Sequence, residues 1–400
     1  MNTYSEDKEY ILNLYKRLPL EIVKGEGLYL YDNEGKAYLD FYSGIAVNAL
    51  GQRHPKVVEA INKQLESFLH ISNYFTAPSL VNLAKTLVEN SFASKVFFSN
   101  SGTEANEAMI KLAKKYGKEK SPSKVNFVAL ERGFHGRTLG GMTLTGNESN
   151  IEKFSPLMPG VKHVPFNDVD ALIDAVDSDT CGIVFEVLQG EAGVKLLSEE
   201  FIETIKELAK KHDALILADE VQTGLMRTGK LFAYEYFNLQ PDVMTLAKAL
   251  GGGLPLGAML VSEKLESVLM PGDHGSTFGG NPLAAAAGNA IMSVILEEGF
   301  EENVNRMSGL LFAGLQGLKE RYPEFILDVR GLGLMIGVDA GENAMKIRDE
   351  AMERGVLLNV TNATVIRLLP ALILSEKEVN LFLETLEKVL GGLKGNKNEH

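Results

Sequence analysis

The sequence predicts an α/β protein in which a large domain on a mainly parallel sheet is joined by a smaller α+β domain. Three observations carry this. At 400 residues the chain can bury a large core and more than one domain. From about residue 80 to 290, short and fully apolar runs alternate with stretches of helical period. Strands that are apolar at every position imply a parallel sheet covered by helices on both faces. After about residue 291 the pattern changes to helices around a glycine-punctuated strand pair.

The elements follow in order. The segments 27–31 and 36–41 flank Asp32-Asn33-Glu34-Gly35, which has the chemistry of a hairpin tip. Strands are expected at 95–98, 125–129, 182–185 and 214–218. Between them, Met109, Leu112, Ala113 and Tyr116 share one helical face, and Ile202, Ile205, Leu208 and Ala209 share another. Beyond 291 come an amphipathic helix, strands near 326–338, a helix near 343–354 and a last helix near 376–391. The tail 393–400 is expected to fray. The first ~50 residues carry strands but no core of their own, so they should pack with the C-terminal part. This divides the chain into a large domain, 50–290, and a discontinuous small domain, 1–49 with 291–400.

Composition sets limits on function. With 45% hydrophobic and 23% charged residues, neither disorder nor a fibrous repeat fits. A formal net charge of -13 argues against nucleic acid as a partner, since phosphate backbones are held by clustered Lys and Arg. It leaves room for a small anionic substrate, because one or two arginines decide the charge of a pocket. Cys181 is the only cysteine, so no intrachain disulfide forms and a reducing, cytoplasmic setting is expected. The opening residues are polar and acidic, unlike a signal peptide. Apolar runs such as 214–218 are far too short to span a membrane.

In an open parallel sheet, ligands gather beyond the carboxyl ends of the strands. Four polar segments stand there. Ser99 to Glu107 opens the Met109/Leu112 helix; Ser101 can cap it with Glu104 as a capping box, or the free amides can attract a phosphate. Gly133-Phe134-His135-Gly136-Arg137-Thr138 offers a ring to stack on a planar cofactor and a guanidinium to fork a carboxylate, or a plain surface turn. Asp219 ends an apolar strand, where a buried carboxylate needs a cationic partner; an N-cap is the alternative. Lys248, between an apolar strand and Gly251-Gly252-Gly253, is a desolvated nucleophile or a turn lysine facing water. Each segment alone is ambiguous, but their order and spacing form a set.

These segments, with Glu186-Val187-Leu188-Gln189-Gly190-Glu191 and His274 to Leu283, resemble the class III aminotransferases over nearly the whole chain. Gly44 to Gly51, Phe97 to Asn106 and Gly275 to Asn281 are most similar to the subgroup that acts on acetylornithine. The resemblance implies the fold-type I architecture, pyridoxal 5'-phosphate as cofactor, and a homodimer with active sites at the subunit interface. It implies that Lys248 holds the cofactor covalently and then moves the substrate proton, while Asp219 keeps the ring nitrogen protonated. Ser101, Gly102 and Thr103 would cradle the phosphate, and Thr277, beside Ser276, would reach the phosphate in the other subunit. Phe134 and Val221 would take the two ring faces, and Gln222 the ring hydroxyl. Arg367 would hold the α-carboxylate of glutamate or 2-oxoglutarate and Arg137 the distal one. Glu191 would pair with Arg367 when an ω-amino donor is present, and Ser276 would contact substrate. The implied reaction is transfer of the terminal amino group of N2-acetyl-L-ornithine to 2-oxoglutarate.

Three positions depart from the family pattern: Val187 and Ala371 replace prolines, and Gln52 replaces a histidine. Ornithine, succinylornithine, N-acetyllysine and 4-aminobutyrate stand as alternative donors, since such pockets differ by only a few contacts. A nicotinamide dehydrogenase is discounted because Gly331, Gly333 and Gly337 have the wrong spacing and run on as strand. A non-catalytic protein on this fold would be expected to lack Lys248 or Asp219. The seven histidines show no paired metal-ligand spacing.

Overall fold

The computed structural model describes residues 3–397. At its centre is a seven-stranded sheet in the order Lys95–Ser99, Gly257–Val261, Val243–Leu246, Leu215–Asp219, Thr180–Phe185, Asn126–Leu130 and Val161–Val164. Gly257–Val261 runs antiparallel to both of its neighbours, and the remaining pairs are parallel. The expected α/β architecture is therefore present, with two strands that the sequence leaves unmarked. Val161–Val164 is a short edge strand with two polar residues. Gly257–Val261 follows a glycine-rich stretch and reverses direction.

The apolar runs are continuous because each strand packs on both sides. Phe127 and Ala129, with Leu215 and Leu217, pack against Met109 and Leu112 of the helix Gly102–Lys120. Val128 and Leu130 point the other way, into the core shared by Ile202 and Ile205 of the helix Glu199–His212. Side chains alternate between the faces with period two, yet both faces are apolar, so the alternation leaves no polar mark.

The N-terminal strands Ile22–Glu26, Tyr29–Asp32 and Ala37–Asp40 form an antiparallel meander, and Val356–Leu357 adds to it in parallel. Asp32 closes the hairpin by accepting from the amides of Glu34 and Lys36. A further antiparallel sheet is formed by Asp328–Leu332, Met335–Asp339, Val365–Leu368 and Asn359–Thr361. Phe41 stacks on Phe382 of the last helix with ring centroids 4.2 Å apart. These cross-connections support the proposal that 1–49 and 291–400 form one unit and 50–290 the other.

The last helix, Glu376–Lys397, runs past its expected end near 391 because Leu393 is still buried and anchors another turn. Of the tail expected to fray, residues 398–400 lie outside the described ones. Among the described residues, no single helix is long and apolar enough to cross a membrane.

Candidate active site

The parallel strands deliver their carboxyl ends to one side of the sheet, and there a cavity of about 450 Å³ opens. Ser101, Gly102, Thr103, Phe134, Arg137, Asp219, Val221, Gln222 and Lys248 all line it, although they are spread over some 150 residues of sequence. Glu186, His135 and Asn106 also stand on its wall.

Lys248 follows the strand Val243–Leu246 and begins a short 3-10 turn, Lys248–Gly251. Its φ of 47° lies in the left-handed region, a strained conformation that bulky residues adopt where the surroundings impose it. The side chain is half-buried. Burial, reinforced by the charge of Arg367, brings the amine down to about 8, against the opposing pull of Glu191, Glu186 and Asp219. An amine so placed is much closer to a free nucleophile at neutral pH than a turn lysine in water.

Asp219 is 3% exposed. One carboxylate oxygen, Oδ2, lies 2.8 Å from His135 Nδ1 and accepts from Asn106 Nδ2 at 2.9 Å. The other, Oδ1, accepts from the Val221 amide at 3.0 Å. Asn106 is itself oriented, taking a hydrogen bond from Thr245 Oγ1 at 2.8 Å and donating to the His135 carbonyl at 2.9 Å. Burial pulls His135 down, but its hydrogen bond to Asp219 and the charge of that carboxylate outweigh it, so the imidazole titrates above its ordinary range. The N-cap reading of Asp219 fails, because turns and no helix follow it at 221–228. Within the protein, the Asp219 carboxylate is paired with the His135 imidazole.

Ser101 does cap the helix Gly102–Lys120, its Oγ accepting from the Glu104 amide at 3.3 Å. The Glu104 carboxylate reaches back to the amide and side chain of Asn100, both at 2.8 Å, and not to Ser101. The cap and the anion site are therefore compatible. First-turn amides such as those of Gly102 and Thr103 have no intrahelical acceptor and remain for a ligand. Packing around them is close: a Cβ on Gly102 would come within 2.8 Å of both Val221 methyls, and one on Gly136 within 1.9 Å of Thr103 Oγ1. A half-buried amine, a buried carboxylate and an open helix start on one cavity fit the aldehyde, ring nitrogen and phosphate of pyridoxal phosphate.

Beside the cavity, Arg367 is 2% exposed. Its Nη1 donates to Glu191 Oε1 at 2.6 Å and to Gln222 Oε1 at 3.0 Å. Arg367 and its hydrogen bonds hold the Glu191 carboxyl below its usual range, overcoming the burial that would raise it. Arg137 is exposed at the mouth, its guanidinium 5.3 Å from the centroid of the Phe134 ring. Glu186 accepts from the Phe134 amide at 2.9 Å, and burial pushes its carboxyl up to about 7.

Ser276 and Thr277 stand apart from this cavity. Ser276 Oγ accepts from Asn100 Nδ2 at 3.1 Å and from the Gly279 amide at 2.9 Å. Thr277 is exposed, in a cleft with His70 and Phe278. The three departures from the family pattern also lie off the cavity. Val187 and Ala371 are buried, and Gln52 forms a bridge with Gly27. Among the described residues, no group of three or more His, Cys, Asp or Glu is placed to hold a metal ion.

The sequence alone points to no role for His135, Asn106, Glu186, Asn359 or Thr361. A signal for Asn106 existed: it is a polar residue on the helix face that carries Ala105, Ala108 and Met109. His135 had only its place between Phe134 and Gly136.

Comparison with known proteins agrees with this geometry. The family described as aminotransferase class-III matches residues 10–390. The acetylornithine aminotransferase of Caldanaerobacter subterraneus subsp. tengcongensis is 45% identical over 396 residues, 98% of this chain and 100% of that one. The succinylornithine transaminase of Citrobacter koseri is 41% identical over 376 residues, 93% of this chain and 92% of that one. Among solved structures, the ornithine aminotransferase of Toxoplasma gondii ME49 superposes with a TM-score of 0.94 at 28% identity, covering 98% of this chain and 95% of that one. With a likeness that runs nearly from end to end, this chain belongs to the class III aminotransferases, pyridoxal-phosphate-dependent transaminases of fold type I.

Proposed function

We propose that the enzyme moves the terminal amino group of N2-acetyl-L-ornithine to 2-oxoglutarate, giving N-acetyl-L-glutamate 5-semialdehyde and L-glutamate in two half-reactions. The observation that carries this reading is the Arg367–Glu191 ion pair of 2.6 Å beside the Lys248 cavity. The donor has no carboxylate next to its reacting amine, so a free guanidinium there would face an apolar chain. Glu191 masks the charge in that half-reaction. The acceptor does carry a carboxylate at that place, and Glu191 then withdraws to leave Arg367 to it. Arg137, at the mouth, takes the distal carboxylate.

Pyridoxal phosphate, when bound, supplies an aldehyde to take the amino group and a ring that draws electrons from the carbon losing its proton. Lys248 would hold it covalently, and its Nζ would be the base that moves the proton at the amine-bearing carbon. Asp219 would hold a proton at the ring nitrogen, and His135 and Asn106 hold Asp219. The Gly102 and Thr103 amides would bind the phosphate beside the Ser101 cap. Phe134 and Val221 would flank the ring, and Gln222 would reach its hydroxyl.

A homodimer and a cytoplasmic setting belong to the same proposal. Tyr74, Phe75 and Phe278, exposed by 95%, 70% and 59%, share clefts with Thr277. A second copy covering them would bring Ser276 and Thr277 to its own cofactor and substrate.

The test is a side-by-side kcat/KM comparison of N-acetylornithine, ornithine, N-acetyllysine, succinylornithine and 4-aminobutyrate, each with 2-oxoglutarate. N-acetylornithine should be among the best donors. If it is not, the substrate reading falls and the enzyme class stands.

A further inference from the structure

The short strand Asn359–Thr361 runs antiparallel to Val365–Leu368, with Asn359 directly opposite Arg367. Opposed residues in such a pair project to the same face. Asn359 Oδ1 accepts from Arg367 Nε at 3.0 Å and from Nη2 at 2.8 Å, gripping one edge of the guanidinium. Two residues on, and so on the same face, Thr361 donates its hydroxyl to the Glu191 carbonyl at 2.9 Å and lies 3.5 Å from Oε2 of the Glu191 side chain. One strand thus holds both members of the ion pair.

A guanidinium has five N–H donors. Asn359 occupies the one on Nε and one on Nη2, while Glu191 and Gln222 occupy the two on Nη1. When Glu191 withdraws, one donor on Nη1 and one on Nη2 are free. A carboxylate can accept from both terminal nitrogens of a guanidinium. The identity of residue 359 matters for a second reason. A carboxamide holds the fork without cancelling its charge, whereas a carboxylate in the same space would be a permanent partner for a guanidinium already withdrawn from water.

We propose that Asn359 is a positioning and specificity-determining residue for the acceptor half-reaction: a neutral clamp that aims Arg367 and keeps its charge available to the α-carboxylate of a 2-oxo dicarboxylic acid. This rests on the reading of Arg367 as the α-carboxylate site. Asn359 need not touch the substrate, since it acts through Arg367.

The experiment uses holoenzyme in four forms: wild type, Asn359→Asp, Asn359→Ala and Arg367→Met. Glutarate, an unreactive dicarboxylate, is titrated by calorimetry, and the two half-reactions are followed in single turnovers. Asn359→Asp is expected to weaken glutarate at least about tenfold. It should raise the 2-oxoglutarate concentration for half-maximal rate to match, with little change in the limiting rate or in the amine-donor half-reaction. Asn359→Ala, which loosens the fork without adding charge, should weaken glutarate less and again spare the donor side; it carries the test if the aspartate variant does not fold. Wild-type glutarate affinity in Asn359→Asp, or equal losses in both half-reactions, would overturn the proposal. If Arg367→Met also leaves glutarate binding intact, the reading of Arg367 fails and the proposal with it. Weakened binding in Arg367→Met alone removes only the role given to Asn359.

Discussion

The Lys248 amine offers the most direct check on the site, because burial and one neighbouring cation are asked to change its chemistry. An ordinary lysine titrates near 10.5, and here burial with the neighbouring Arg367 charge brings the amine to about 8. At pH 7 this raises the neutral fraction from about 0.03% to about 10%, roughly 300-fold. The assay is competitive labelling of cofactor-free enzyme with a trace of acylating reagent from about pH 6 to 11, with the Lys248 peptide quantified against free N-acetyl-lysine. Labelling of Lys248 should reach its midpoint near 8, well before the reference. In Arg367→Met the midpoint should move up, since a repelling cation is gone. A wild-type midpoint at 10 or above would show a solvated amine and refute the reasoning. The linkage has a definite sign. Between about 8 and 10.5 the unfolded chain still binds the proton that the folded protein has released, so stability of the cofactor-free enzyme rises with pH across that window.

Three further outcomes are expected. Glu191→Ala should slow the ω-amine half-reaction more than the glutamate half-reaction, because an unmasked Arg367 faces the donor; equal losses in single turnovers would count against the masking role. Gly136→Ala combines a φ of 126° with a Cβ only 1.9 Å from Thr103 Oγ1. It should cost about 2 kcal/mol or more in stability and weaken cofactor binding, as read by thermal melts and cofactor titration; unchanged values in both would refute the cradle geometry. Glu220 is buried, accepts from Thr223 and from the Tyr234 amide, and has its carboxyl pushed up to about 7 by burial. The unfolded carboxyl releases its proton near 4.5 while the folded one keeps it to about 7, so native stability falls as pH rises through that range. Glu220→Gln should abolish that fall and gain up to about 3 kcal/mol above pH 7 while matching wild type below 4.5; denaturant melts at the two pH values decide it.

The sequence by itself determined the parts of this protein that depend on neighbours along the chain. Runs such as 125–129 and 214–218 announce buried strands because both of their faces are covered, and the period of Ile202, Ile205, Leu208 and Ala209 announces a helix. Polar residues just after such strands mark the ligand side of a parallel sheet, which made Asp219 and Lys248 candidates with structural alternatives; their roles came from the resemblance to the class III aminotransferases. The tertiary structure decided what meets what. His135 and Asn106 reach Asp219 from 84 and 113 residues away, and neither separation leaves a trace in local periodicity. The reversed direction of Gly257–Val261 also has no local signature, since strand pairing is set by the packing of the whole sheet. Asn359 lies only eight residues from Arg367, yet their opposition depends on the register of a turn that composition does not reveal. The left-handed backbone of Lys248 is likewise imposed from outside, because a strained conformation persists only where the surrounding fold holds it. Residue type and local period are properties of the chain; pairing, register and strain belong to the folded whole.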